Sequence, residues 1–157
     1  MAPSWLDVLI NLSFSWVSAV GFALIINVPH RALIDCGVTG ASGWMIYWFG
    51  TQAGFGRLGS NLLGAFTIGI LGYMFAVRKK CPAIIFNIPG IVTLVPGVPA
   101  YQAVRALVSG QLSEAEDLLL KVAIVTIAIA MGFMLAQLVI EFFFKYKNGR
   151  KRRRNML

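Results

Sequence analysis

Helix-breaking residues stand close together in one uncharged stretch of the sequence. Pro89-Gly90 and Pro96-Gly97 are followed by Pro99, and the surrounding stretch from residue 81 to residue 104 holds no charged residue. An internal proline removes a backbone donor and clashes with the preceding turn, and glycine adds backbone freedom. The pattern predicts a broken or re-entrant segment, with a merely kinked helix as the alternative.

Such a break could bind a small anionic ligand through hydrogen bonds. The first amides of a half-helix lack partners within the helix and carry partial positive charge. Pro99 suits the first position of a new helix, so we expect the amides near Gly97, Val98 and Ala100 to point into a pocket. The predicted substrate pathway consists of Asn87, Pro89, Gly90, Thr93, Pro96, Gly97, Pro99, Tyr101 and Gln102.

Three charged residues are candidate partners for a substrate or a coupled proton. Asp35 follows Arg31 by four residues, so on a helix the two side chains would form a salt bridge. The functional alternative is a proton-coupling carboxylate at Asp35 or a carboxylate ligand at Arg31. Arg105 lies two turns after Pro99, where it either snorkels to the membrane surface or attracts an anionic substrate.

The sequence lacks the residue groups that catalysis or metal binding requires. It has a single histidine, His30, no glycine-rich phosphate loop and no Ser-His-Asp set with a plausible geometry. Its two cysteines, Cys36 and Cys81, are 45 positions apart and form no metal or redox motif. We therefore predict no enzyme activity, no metal site and no cofactor, and an intramembrane enzyme is the weakest alternative.

The elements that would position the candidate residues are membrane-spanning helices. The chain of 157 residues is 58% hydrophobic and 13% charged, whereas a soluble domain carries about 25% charged residues. Five stretches of 19 to 24 residues contain no Asp, Glu, Lys or Arg, and roughly 20 helical residues cross a bilayer core. The predicted fold class is an all-α integral membrane protein with about five transmembrane helices, the fourth broken by the Pro-Gly pairs. The expected helices cover residues 5–28, 32–54, 58–77, 82–107 and 119–144.

The distribution of basic residues predicts the orientation in the membrane. Short basic flanks stay in the cytoplasm, and both residues 78–80 and residues 145–154 are rich in Lys and Arg. We therefore predict a single transmembrane domain over residues 1–145 and a basic cytoplasmic tail over residues 146–157. A four-helix alternative omits the second stretch, which is rich in small residues. The tail is expected to meet anionic lipid headgroups rather than nucleic acid.

Two motifs carry a resemblance to a known family. One is Gly21-Phe-Ala-Leu-Ile-Ile-Asn-Val-Pro-His-Arg-Ala-Leu33, and the other is Leu94-Val-Pro-Gly-Val-Pro-Ala-Tyr101 with Pro89-Gly90 upstream. Together they resemble the threonine/serine exporter family and, within it, the small subunit of the two-subunit bacterial succinate exporter. The resemblance covers essentially the whole chain and supplies no residue roles.

The resemblance implies a multi-pass exporter in the bacterial cytoplasmic (inner) membrane, with a cytoplasmic C-terminus. A larger membrane subunit would supply the other half of a hetero-oligomer in the lipid bilayer. The expected function is a subunit of a secondary transporter that exports small carboxylate metabolites, either a succinate-type dicarboxylate or threonine and serine. The alternative is a non-transporting scaffold that stabilises the larger subunit.

Overall fold

Helices account for nearly all of the described structure. A computed structural model describes residues 4–154 of the protein, with side chains for residues 4–143. This part of the chain holds six α-helices, a short 3-10 turn at His30–Ala32 and no strand. The helices are α1 (Trp5–Ile25), α2 (Leu33–Gln52), α3 (Gly56–Lys79), α4 (Ile84–Ile91), α5 (Gly97–Val108) and α6 (Leu112–Arg154).

Residues with positive φ lie at the connections between these helices. Gly54 (φ 83°) lies between α2 and α3, and Gly110 (φ 75°) lies between α5 and α6. Glycine adopts this conformation without the steric cost that a Cβ brings. The chain can therefore reverse within the three residues that separate the helices in each pair. Asn27 and Lys80 take the same conformation just after α1 and α3.

The four longer helices lie side by side in the order α1, α2, α3 and α6. The short helix α4 packs on one face of this row, against α1, α2 and α3. Helix α5 packs mainly against α6. The two halves of the broken segment therefore have different surroundings, because α4 is embedded in the bundle while α5 lies at its edge.

Small residues allow α3 and α6 to approach closely. A Cβ on Gly132 would collide with backbone atoms of Leu62 and Phe66, and a Cβ on Gly69 would collide with Ala136. Close contact through small residues is a common way to pack helices in lipid, where apolar burial adds little. Since residue 132 lies beside 62–66 and residue 136 lies beside 69, α3 and α6 run in the same direction. The α4–α5 segment therefore leads the chain from the end of α3 back to the side on which α3 begins, and α6 starts there.

The α3–α6 contact should be sensitive to a single methyl group. We expect Gly132→Ala to destabilise the protein by at least about 1 kcal/mol, because the backbone atoms that the new Cβ meets cannot rotate away. Gly21→Ala on α1 is the matched control, since a Cβ there meets nothing within 4 Å. Thermal unfolding of the purified variants in detergent measures the difference. Equal stability of the two variants would contradict the close contact.

The fourth hydrophobic stretch is broken, as the proline and glycine pattern predicts. Helix α4 ends at Ile91, and Pro96 caps α5 with a non-helical ψ of 59°. The amide of Gly97 donates to the carbonyl oxygen of Val95 at 2.8 Å, which closes a tight turn just before α5. Pro89 lies inside α4 without ending it.

Three helices of the described chain are long and apolar enough to cross a membrane. They are α1, α3 and the part of α6 from Leu112 to Phe143. Helix α2 has 20 residues but is not among them, and α4 and α5 are individually too short. The all-α membrane class therefore agrees with the structure, while the count of five spans stays a prediction.

Helix α6 differs from its predicted bounds. It begins at Leu112, seven residues before the predicted start at residue 119, and it continues through Arg154. The physical reason for the early start is the acidic first turn, where Glu114 interacts favourably with the positive end of the helix dipole. The predicted tail over residues 146–157 is thus helical through residue 154. Its last three residues lie outside the described part.

Candidate functional site

Polar side chains form a stripe along the mostly apolar helix α1. Asn11, Ser15 and Ser18 are spaced by four and three residues, which places them on one helix face. Asn11 Nδ2 donates to the carbonyl oxygen of Asp7 at 2.9 Å, and Ser15 Oγ donates to that of Asn11 at 2.7 Å. Ser15 is only 6% exposed, whereas Asn11 is half-buried and Ser18 is exposed, so the stripe lies partly inside the bundle and partly at its surface.

Trp44 of α2 fixes the orientation of the Asn11 side chain. The indole Nε1 donates to Asn11 Oδ1 at 2.9 Å. Because an indole N–H can only donate, the amide atom that faces it must be the oxygen. The Trp44 ring also contacts Tyr47, with 5.2 Å between ring centroids. One hydrogen bond thus links the polar stripe of α1 to a well-packed position on α2.

The break in the fourth segment meets this stripe at Thr93. Thr93 Oγ1 donates to the carbonyl oxygen of Gly90 at 2.9 Å and lies 3.3 Å from that of Gly40 on α2. Thr93 and the α1 stripe line one open groove of about 380 Å³. We call it the polar groove, and its lining residues are Ile10, Asn11, Phe14, Ser15, Ser18, Trp44, Val92 and Thr93.

A second open groove, of about 400 Å³, lies elsewhere between α1 and α2. The linings of both grooves are mostly apolar, but the second groove includes no residue of the broken segment. The polar groove is therefore the better candidate site, despite the similar volume. The second groove is lined by Leu12, Ser13, Trp16, Val17, Val38, Ala41 and Ser42.

Comparison with known protein families identifies the family to which the chain belongs. Residues 11–139 of the chain match the family described as threonine/serine exporter, ThrE. The chain belongs to the threonine/serine exporter family. The family resemblance that the two motifs carry is therefore confirmed. No solved structure matches the chain. The protein is a membrane exporter of the threonine/serine type, from a family of transporters rather than enzymes.

At the start of α5, fewer backbone amides are free of hydrogen bonds within the protein than the sequence of the exporter suggests. Of the three expected donors, Gly97 N already donates to Val95 O at 2.8 Å, and Ala100 N donates to Pro96 O at 3.1 Å. The remaining amide belongs to Val98, whose side chain is 69% exposed at the edge of the bundle. The α5 N-terminus therefore provides at most one amide, and it lies outside the lining of the polar groove.

The predicted pathway residues on α4 lie inside the bundle. Pro89 and Gly90 are buried, and a Cβ on Gly90 would meet Ile68 of α3 and Thr39 of α2. Asn87 faces α3, where the absence of a side chain at Gly72 leaves room for its amide. Its Oδ1 is buried and accepts no hydrogen bond. These three residues set how closely α4 approaches its neighbours rather than lining the polar groove.

The predicted residues around α5 are distributed differently. Pro96 and Pro99 are half-buried, and Gly97 is exposed. Tyr101 and Gln102 point outward from α5, as does Arg105. Of the nine predicted pathway residues, only Thr93 lies in the polar groove. The structure therefore does not bring the nine together on one surface.

The charged residues near the start of α2 pair differently from the prediction. Asp35 forms its ion pair with Lys79 of α3, with 3.1 Å between Nζ and Oδ2, and the predicted Arg31–Asp35 salt bridge is wrong. Asp35 Oδ2 accepts no hydrogen bond of regular geometry, so Lys79 acts on it as a counter-charge. The reason is that Arg31 precedes α2 in the 3-10 turn, where the four-residue helical spacing does not apply. Arg31 Nη2 instead donates to Cys81 Sγ at 3.4 Å.

Sequence reasoning missed the other four hydrogen-bonding residues of the polar groove, namely Asn11, Ser15, Ser18 and Trp44. A signal for the first three was present, because polar residues at four- and three-residue spacing mark one face of an apolar helix. Trp44 carried no such signal, since a tryptophan in a hydrophobic helix is equally typical of an aromatic belt. Its role depends on the register between α1 and α2.

The polar groove is uncharged. No Asp, Glu, Lys, Arg or His side chain is among its lining residues. Within the described residues, no group of three or more His, Cys, Asp or Glu side chains could hold a metal ion. The groove can thus recognise a small ligand through hydrogen bonds, helix-end dipoles and an aromatic ring. Recognition through a charged side chain would need a residue that does not line this groove.

Proposed function

We propose that this exporter is one subunit of a secondary transporter for small carboxylate-bearing metabolites, either threonine and serine or a succinate-type dicarboxylate. The observation that carries the proposal is the polar groove, where the broken segment meets the polar stripe of α1. Irregular backbone in a membrane is tolerated where protein covers it or where it lines a wet cavity. Interrupted helices of this kind form substrate sites in secondary transporters.

The edge position of α5 supports the proposal of a larger membrane partner. The break is covered on one side by α1, α2 and α3, while Val95, Val98 and Tyr101 remain exposed. A half-covered break is expected of a chain that supplies one half of a pathway. We therefore propose a larger membrane subunit against this face and rocking of the two halves during transport.

The proposed location is the bacterial cytoplasmic membrane, with the C-terminus in the cytoplasm. Helices α3 and α6 run in the same direction, so the end of α6 lies on the same side as the basic residues 78–80. Short basic flanks mark the cytoplasmic side. This geometry supports the predicted orientation without depending on the number of spans.

The deciding experiment is efflux of labelled threonine, serine and succinate from cells that lack their own exporters. Three strains carry this chain alone, the chain with a candidate large subunit, or the large subunit alone. We expect efflux only from the strain with both chains, and the labelled compound that leaves identifies the substrate. Equal efflux from the large subunit alone would reduce this chain to a scaffold and refute the proposed pathway.

Cysteine labelling should separate a pathway from a scaffold within this chain. In a variant with Cys36→Ala and Cys81→Ser, we expect Thr93→Cys to react with a small hydrophilic thiol reagent and transported substrate to slow the reaction. Leu94→Cys is the matched control, because the neighbouring Leu94 is 4% exposed and packs against Ala65 and Ile68. Rates are measured in membranes by mass spectrometry. Equal protection of both positions would support the scaffold.

A further inference from the structure

We propose that the polar groove binds the ammonium end of the transported molecule rather than its carboxylate. The inference rests on the proposed function and names the chemical group that this part of the pathway recognises. It follows from counting which hydrogen-bonding groups of Asn11, Ser15, Ser18, Trp44 and Thr93 remain free. A proton that is already donated within the protein is unavailable to a ligand, whereas an oxygen with a remaining lone pair can still accept.

The two innermost hydroxyl groups have already used their protons. Ser15 Oγ donates to the carbonyl oxygen of Asn11 at 2.7 Å, and Thr93 Oγ1 donates to that of Gly90 at 2.9 Å. A hydroxyl has one proton and two acceptor lone pairs. Both side chains therefore present only acceptors to the groove. A carboxylate accepts hydrogen bonds and would find no donor at either position.

The remaining polar groups add further acceptor capacity. Asn11 Oδ1 takes one hydrogen bond from Trp44, which leaves a second lone pair on the same oxygen. The indole N–H of Trp44 is spent in that bond, so it is not available to an anion. Only the second N–H of Asn11 and the exposed hydroxyl of Ser18 remain as side-chain donors.

Two non-hydrogen-bonding features favour a cation as well. Trp44 lines the groove, and an ammonium group placed over the face of its indole ring would be attracted to it. Val92 and Thr93 directly follow the last residue of α4, so the groove also faces the negative end of this helix. An ammonium group has three donors, which matches the three acceptor oxygens on Asn11, Ser15 and Thr93.

The assignment separates the two proposed substrate classes. Serine and threonine carry an ammonium group, whereas a succinate-type dicarboxylate carries none. The groove has no charged side chain of either sign, so a bound ion is compensated only by hydrogen bonds and dipoles, and the three acceptor oxygens compensate an ammonium group but not a dicarboxylate. The carboxylate of an amino acid would instead lie toward the exposed side of the break, where a partner subunit supplies the remaining contacts.

The test is binding of simple probes to the full-length chain in lipid nanodiscs. Trp5, Trp16 and Trp48 are replaced by phenylalanine, so that indole fluorescence reports on Trp44. Ethanolamine keeps the ammonium and hydroxyl groups of serine, and 3-hydroxypropanoate keeps its carboxylate and hydroxyl groups. We expect L-serine and ethanolamine to shift the emission and 3-hydroxypropanoate to bind at least about tenfold more weakly.

Variants then test the acceptor oxygens one at a time. Thr93→Val and Ser15→Ala should each weaken ethanolamine binding by about tenfold, whereas Thr93→Ser keeps the oxygen and should restore it. Thr126→Val is the matched control, because Thr126 Oγ1 makes the same type of bond, 2.8 Å to Val122 O, on α6 away from the groove. It should bind ethanolamine like the parent chain.

Several outcomes would overturn the proposal. They are equal binding of 3-hydroxypropanoate and ethanolamine, a response to Na⁺ with none to ethanolamine, and no response to any probe. Failure of the proposed function is distinguishable from these results. Ethanolamine binding without serine or succinate efflux would refute the transport proposal alone, and efflux without ethanolamine binding would refute the groove assignment alone.

Discussion

Replacement of Pro96 and Gly97 by alanine should reduce export by at least about tenfold, equivalent to about 1.4 kcal/mol in the transport barrier, in a protein that still folds. Pro96 prevents α4 from continuing into α5, and the Gly97 amide closes the turn on Val95. With alanine at both positions the turn at Val95 loses the proline that fixes it, and the helix can extend through this turn toward Pro99, which would withdraw Thr93 from the polar groove. A Cβ at Gly97 meets nothing within 4 Å, so no clash is introduced.

The control for this experiment is Pro82→Ala, which removes an exposed proline ahead of α4 and leaves the break unchanged. Export is measured in the strain combination that shows efflux of the parent chain, and membrane levels of each variant are measured in parallel. Normal export by the Pro96→Ala/Gly97→Ala variant would show that the break is not part of the pathway.

Lys79→Met should destabilise the protein by about 2 kcal/mol. Asp35 has a side chain only 15% exposed, and Lys79 is its ion-pair partner. Removal of one member of a buried pair costs about 3–5 kcal/mol because the other charge is left uncompensated. The expected value is lower here because the Lys79 side chain is 32% exposed, and solvent screens the pair. Denaturant unfolding in detergent gives the difference.

Two further variants make this second prediction specific. Arg31→Gln removes a nearby positive charge that does not pair with Asp35, so it should change stability by less than about 0.5 kcal/mol. Asp35→Asn combined with Lys79→Met should recover part of the loss, because no unpaired charge remains. A larger loss in Arg31→Gln than in Lys79→Met would favour the sequence-based pairing over the structural one.

The helical fold and the break were predictable because both depend on local properties of the chain. Long uncharged stretches require internal hydrogen bonding of the backbone in lipid, and a helix provides it within one segment. The prolines at 89, 96 and 99 act on the turns that contain them. Even so, sequence did not predict that α4 continues through Pro89, or that α6 begins at Leu112.

The candidate site was predictable only in part. Thr93 was identified because it lies in the broken segment itself. Its partners on α1 and α2 lie more than 45 positions earlier in the chain, and their proximity depends on how helices with small residues pack. Asn87 was instead included among the predicted pathway residues although it does not line the polar groove. Its place in the broken segment suggested a pathway role, but its side chain faces Gly72 of α3.

The sequence by itself determined the membrane class, the family and the interruption of the fourth segment, since hydrophobic length, motif identity and proline geometry act locally. Only the tertiary structure decided that Asp35 pairs with Lys79, that the α5 amides are mostly occupied, and that Thr93 meets Asn11 and Ser15. These results depend on the direction and register of neighbouring helices. Packing through glycine and alanine sets both, and hydrophobicity alone does not encode them.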